Sequence, residues 1–327
     1  MDTGTHITMG IALGGLATLD PVVSQDPALH HIILAGTIIG SNAPDFDTIL
    51  KFRSNAVYLR HHRGITHSIP AVLIWPILIT LMLYFISPSV NVLHLWLWTF
   101  LAVILHIIVD LFNGYGTQAL RPFSRKWIAL GIINTFDPFI FSVHLIGISL
   151  WLIGYDPAPV FLSIYAILVL YYCWRAYVHH LLVKQVKRKI AHVEEVIVTP
   201  TLNWSKWHIA VKTKDKFSVA HAKKMQLSIL DVYSRKPIPD TPVMNAAKQD
   251  PNLSAFLSFS PVYRWEIEQK NDGYEVRFID LRYRSKGHYP FVAVVKLDND
   301  LNTIQSYTGW YYNHKRLKKK LKTVNSY

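Results

Sequence analysis

The chain reads as an α-helical multi-pass membrane domain, with four clear and two short helical segments, followed by a small β-rich or α+β soluble domain. Three observations predict this. The 327 residues are 51% hydrophobic, with positive mean hydropathy (+0.20), high for a soluble protein. Between Arg63 and Asp110 there is no Lys, Arg, Asp or Glu. The charge is also divided. Residues 1–179 hold eight bases and eight acids, all of them Asp; of the 34 bases and 21 acids in the chain, 26 and 13 therefore fall in residues 180–327, which carry the whole +13. The division is 1–179 as the membrane-embedded domain, 180–190 as a basic juxtamembrane helix and 191–327 as a basic, β-rich cytoplasmic domain.

Taken in order, residues 7–19 and 29–40 are short apolar stretches, marginal as spans. Residues 68–86 and 92–112 flank the turn SPSVN, and residues 138–154 and 157–177 flank YDPAP. Each of these last four is near the ~20 residues that cross a bilayer. The loops at 51–63 and 121–126 carry bases, as does 184–189, whereas the loops near 20–28, 87–91 and 155–158 carry none. The bias places the basic loops and both termini in the cytoplasm, with the protein multi-pass in the cell membrane. MDTGTHITMG lacks the basic start of a cleavable signal peptide. Cys173 is alone, so no disulfide forms within the chain.

Beyond residue 190, YEVRFIDLRY and FVAVVKLD alternate as strands do, and Asn271-Asp272-Gly273 predicts a tight hairpin turn. The tail RLKKKLK reads as a solvated basic end.

Chemistry-bearing residues gather at one depth. Residues 42–67 hold Asp45, Asp47, His61, His62, Arg63 and His67 at the cytoplasmic edge of an apolar segment. The motif HIIVD puts His106 and Asp110 at i, i+4, on one helical face near the cytoplasmic end of its span. His6 and Asp137 reach the same layer. Imidazoles and carboxylates of this kind suit zinc, which with an open position activates water for hydrolysis. Each also has a plainer use: His106 and Asp110 as a buried pair, Asp45 and Asp47 as turn residues, Asp137 as a helix N-cap ahead of Pro138, His61 as a loop residue. His62 and Arg63 are candidates for contacting a phosphate or supporting the site, and Asn113 for orienting a ligand or closing a helix. No P-loop, GxGxxG or GxSxG occurs.

The series MDTGTH, NAPDFD, HHRGITHS, HIIVDLFNGYGTQALRPFS and NTFDPF resembles the YdjM-like family of membrane-bound metal-dependent hydrolases, over residues 1 to about 178. The order His…Asp…His…HxxxD is also similar to that of zinc-dependent phospholipase C and P1-type nucleases. Carried over by position, the resemblance implies His6, Asp45, His67, His106 and Asp110 as metal ligands. The second His pair and the Glu of those enzymes have no counterpart, and residues 1–179 contain no Glu, so one or two divalent ions, zinc foremost, are expected rather than three. The expected function is hydrolysis of a phosphoester in a lipid or lipid-linked substrate at the cytoplasmic leaflet, with His62, Arg63 and Asp137 in catalytic roles. The alternative is a non-catalytic, membrane-tethered regulator whose basic C-terminal domain contacts nucleic acid, lipid headgroups or a protein partner.

Overall fold

The computed structural model describes residues 1–285, 287–311 and 321. The basic tail RLKKKLK lies outside them apart from Leu321. The chain forms two compact units. The first is Met1–Thr48 with His62–Leu181; the second is Ile49–His61 with Leu182–Tyr327.

The first unit is helical. Its helices are α1 (Thr3–Leu16), the single turn α2 (Pro21–Ser24) and α3 (Pro27–Gly40). A 3-10 stretch, Ala43–Phe52, leads toward α4 (Asn55–His61), which belongs to the second unit. A 3-10 turn at Ile65–His67 then starts α5 (Ile69–Ile86), followed by α6 (Val92–Leu111), α7 (Pro138–Leu152) and α8 (Pro157–Lys189). Among the described residues α5, α6 and α8 are long and apolar enough to cross a membrane, and α3 and α7 are shorter apolar helices. The expected fourth long span is thus the 15-residue α7, about 22 Å at 1.5 Å per residue.

Aspartates begin most of these helices. Asp2, Asp20, Asp26, Asp137 and Asp156 each accept a hydrogen bond from a backbone N–H at a helix start, satisfying donors that have no partner within the helix. Of the eight aspartates in residues 1–179, this leaves Asp45, Asp47 and Asp110 without a capping role. Small residues let the helices close up. A Cβ on Gly10 of α1 would stand 2.8 Å from the Ile38 Cα of α3. One apolar core joins Met9, Val109, Ile133, Ile140 and Phe161, and a second joins Leu29, Ile33, Ile79, Leu83 and Leu95.

The second unit holds two four-stranded antiparallel sheets. One is β1 (Val193–Pro200), β2 (Lys206–Thr213), β3 (Lys216–Lys223) and β4 (Gln226–Ser234), in that order. Helices α9 (Pro242–Gln249) and α10 (Pro251–Phe259) precede the other, formed in order by β5 (Tyr263–Lys270), β6 (Gly273–Asp280), β7 (Phe291–Leu297) and β8 (Thr303–Trp310). This is the β-rich architecture expected. Lys270 pairs with Gly273, so the hairpin turns at Asn271-Asp272. Gly273 has φ +139°, and a Cβ there would stand 2.0 Å from the Leu297 carbonyl oxygen. Gly273→Ala is expected to cost ~1–3 kcal/mol through strain and displaced β7 backbone, read as a lower denaturation midpoint with an unchanged slope.

Residues 49–61 join this unit, which their composition does not reveal. Within it α4 packs on α10 and β8. The Asn55 side-chain amide donates to the Thr308 carbonyl at 3.2 Å, and Arg60 donates to Ser254 Oγ at 2.8 Å. His61 is therefore an exposed residue closing α4, within the second unit.

Candidate metal centre

Four chain segments of the first unit deliver side chains to one buried point. The helix α1 carries His6, and α6 carries His106 and Asp110 one turn apart. Asp45 comes from the 3-10 stretch after α3, and His67 ends the 3-10 turn before α5. His6, His67, His106 and Asp110 are each 0% exposed. His67 Nε2 lies 3.2 Å from His106 Nε2, 3.4 Å from Asp110 Oδ2 and 3.6 Å from Asp45 Oδ1. His106 Nε2 lies 3.6 Å from Asp110 Oδ2 and 3.8 Å from Asp45 Oδ1. Zinc–nitrogen and zinc–oxygen bonds of 2.0–2.2 Å put neighbouring ligands of a tetrahedron about 3.3–3.6 Å apart. The observed spacing suits ligands around a common ion better than hydrogen bonds between the ligands.

The proton inventory points the same way. A carbonyl only accepts, so the 2.7 Å contact with the Ser41 carbonyl requires His106 to donate from Nδ1. The Thr66 hydroxyl spends its one proton on Asp47 Oδ2 at 2.7 Å, so at 3.1 Å it accepts from His67 Nδ1. In neutral rings both Nε2 atoms are then bare acceptors, facing each other and two carboxylates. Burial, with the charges of His106, Arg63 and His62, pushes His67 well below its ordinary pKa and keeps it neutral. Burial opposes charge on Asp45, but His106, Arg63 and the chain's amino group outweigh it and hold the carboxyl below the usual range. Asp45 Oδ1 accepts no hydrogen bond, and Asp110 Oδ2 accepts none of good angle although Arg63 Nε lies 3.1 Å away. Two imidazole lone pairs and two such carboxylate oxygens, all aimed at one point, form a fitting donor set for a divalent ion.

Around this set, Arg63 Nε lies 3.1 Å from Asp110 Oδ2, and Arg63 also donates to the Met1 carbonyl at 3.2 Å. On the other side of the Asp110 carboxylate, Oδ1 lies 3.5 Å from His6 Nε2 and touches the amino group of Met1. His6 stacks on His106 with ring centroids 3.8 Å apart. Asn113 closes the helix and also touches the cluster. Its amide donates to Asp110 Oδ1 at 3.3 Å, and its oxygen accepts from the N–H groups of Tyr115 and Gly116, closing α6.

The structure thus brings together His6, Asp45, His67, His106 and Asp110, with Arg63 against them. His62 stands at the rim. Its Nδ1 donates to Asp47 Oδ1 at 2.6 Å, and its ring centroid is 6.3 Å from that of His67. Asp137 is placed elsewhere. It caps α7 through the Phe139 and Ile140 N–H groups and accepts from Tyr171 Oη at 2.8 Å. No hydrogen bond or ion pair joins it to the cluster among the described residues. Thr66, between Asp47 and His67, is a residue that sequence reasoning missed.

Helices of membrane-crossing length, with ionisable side chains clustered at their ends, define a helical membrane protein. The chain belongs to the YdjM inner membrane protein family, whose pattern matches residues 1–182. Residues 191–233 match the YfhP middle domain and residues 242–321 the YfhP C-terminal alpha/beta plait domain. The chain is 57% identical over 324 residues to uncharacterized protein YfhP of Bacillus subtilis (strain 168), covering 98% of this chain and 99% of that one. No solved structure matches it.

Proposed function

We propose that the protein is a metal-dependent hydrolase acting on a phosphoester of a lipid or lipid-linked substrate at the cytoplasmic leaflet. The observation that carries this reading is that His67 Nε2 and His106 Nε2 lie 3.2 Å apart and each 3.4–3.8 Å from Asp45 Oδ1 and Asp110 Oδ2, with no proton to share between them. These four would hold the ion, with His6 supporting the far side of Asp110. When bound, zinc supplies Lewis acidity and an activated nucleophile near neutral pH. Arg63 holds Asp110 in place and supplies positive charge beside the site, where a phosphate group is attracted. Asp47 accepts a hydrogen bond from the Nδ1–H of His62, which orients that ring as a general base or acid at the rim.

An apolar cavity of about 310 Å³ supports a lipid-like substrate. Met1, Thr5 and Val109 line it, each bonded in sequence to or within a few residues of His6 or Asp110, together with Leu105, Phe112 and Leu168. It lies among α1, α6, α7 and α8, where a hydrocarbon chain would meet no unsatisfied polar surface beyond His144.

The test is metal analysis of purified protein in lipid nanodiscs, paired with hydrolysis of a phosphodiester lipid in the same preparation. The expected result is roughly one or two zinc ions per chain, with hydrolysis lost to a chelator and restored by added zinc. Protein that retains no transition metal, or hydrolysis indifferent to the chelator, would exclude the reading.

A further inference from the structure

We infer that Thr66 and Asp47 are positioning residues that set the tautomer and aim of His67 through the chain Asp47–Thr66–His67. This rests on the metal site proposed above and goes beyond its ligands. Asp47 is 6% exposed, and both of its carboxylate oxygens accept hydrogen bonds. Its Oδ1 accepts from His62 Nδ1 at 2.6 Å; its Oδ2 accepts from the Arg63 N–H at 2.8 Å and from Thr66 Oγ1 at 2.7 Å. The carboxylate therefore serves as a hub, accepting three hydrogen bonds from the segment His62–Thr66.

The direction of each bond follows from the donors present. Carboxylate oxygens accept only, so the Thr66 proton goes to Asp47 and the Thr66 lone pair is what His67 Nδ1 meets. That forces the Nδ1–H form of His67 and leaves its Nε2 lone pair toward His106, Asp45 and Asp110. The alternative tautomer would put an N–H into the centre and leave Nδ1 facing an oxygen with no proton to give. Outer hydrogen bonds of this kind raise a ligand's basicity and fix its ring, and their loss costs about 10–100-fold in metal affinity.

The same hub fixes the backbone beside the site. Arg63 adopts φ +58°, a left-handed conformation uncommon for a residue with a side chain. Its N–H is the group that Asp47 Oδ2 holds. The turn from His62 to His67 therefore closes on one carboxylate, which sends Arg63 toward Asp110 and His67 toward the centre.

Thr66→Val keeps the shape of the side chain and removes the hydroxyl; Thr66→Ser keeps the hydroxyl. Zinc affinity is measured by chelator competition on the full chain in nanodiscs, with the cobalt-substituted visible spectrum as a second signal and thermal unfolding of the metal-free proteins as a control. Thr66→Val is expected to lower zinc affinity about 10–100-fold and to shift the cobalt spectrum. Thr66→Ser is expected to restore both, while the metal-free melting temperatures stay together. Should Thr66→Val fail to fold, Thr66→Ala takes its place with the same expectation. Wild-type affinity and spectrum in Thr66→Val or Thr66→Ala would overturn the positioning role. A wild-type protein that binds no metal would instead refute the metal reading itself.

Discussion

Replacing Asp110 by asparagine is expected to reduce bound zinc to background while the helical circular dichroism is retained. Asp110 is the carboxylate on which most of the cluster turns. Its Oδ2 faces Arg63 at 3.1 Å, His67 at 3.4 Å and His106 at 3.6 Å, and its Oδ1 faces His6 at 3.5 Å. Asparagine keeps the size and the contact with the turn at Asn113, but it removes the negative charge. An amide group is a weak ligand compared with carboxylate, and an Asn Nδ2 turned toward the centre would repel an ion outright. The expected loss of zinc affinity is at least about 100-fold, larger than for an outer-shell change. Asp110→Ala goes further, leaving a buried Arg63 without its carboxylate, a change that typically costs ~3–5 kcal/mol. Alanine should therefore lose fold stability as well as metal, and asparagine is the cleaner probe. Zinc at the wild-type level in Asp110→Asn would remove Asp110 from the ligand set.

Much of this arrangement was legible in the sequence because each residue sits at the border of an apolar segment. Depth follows from segment length and from the distribution of Lys and Arg, and the i, i+4 spacing of His106 and Asp110 sets a shared face. Those rules locate residues along the membrane normal and leave their lateral positions open. They brought Asp137 into the layer, whereas the fold uses it to start α7 beside Tyr171. The helix-capping pattern, once the structure shows it, sorts the acids: five begin helices, and Asp45, Asp47 and Asp110 remain. Thr66 was invisible because one hydroxyl beside a histidine carries no periodic or compositional signal. Its meaning depends on Asp47, 19 residues earlier. The membership of residues 49–61 in the second unit was hidden for a similar reason. A short basic loop looks alike whether water or another domain covers it, and the contacts of α4 with α10 and β8 are non-local. The hairpin at 271–273 was readable because its turn is local, and β5 and β6 follow it directly.

A second large effect is expected in the second unit, where Asp280→Ala should cost ~3–5 kcal/mol. Asp280 ends β6 and is 0% exposed; Arg282 is 6% exposed. Arg282 Nε lies 3.1 and 3.0 Å from the two carboxylate oxygens, and Nη2 lies 2.7 Å from Oδ2. The Ser260 hydroxyl also donates to Oδ2 at 2.6 Å, and Arg282 Nη2 donates to the Phe259 carbonyl at 3.1 Å. One carboxylate thereby ties the end of α10 to the end of β6. Alanine removes the anion and leaves the guanidinium buried, which costs the desolvation of that charge as well as the lost bonds. The decisive comparison is a double variant. Asp280→Leu with Arg282→Met removes both charges and keeps apolar volume, and buried pairs replaced in this way are often neutral in stability. The double variant should therefore recover most of what Asp280→Ala loses, as followed by the denaturation midpoint of the β-sheet circular dichroism signal. If the double variant were as unstable as Asp280→Ala, the bonds to Ser260 and Phe259 would be the source of the stability, and the uncompensated charge would not. If Asp280→Ala matched the wild type, the pair would have no structural weight despite its burial.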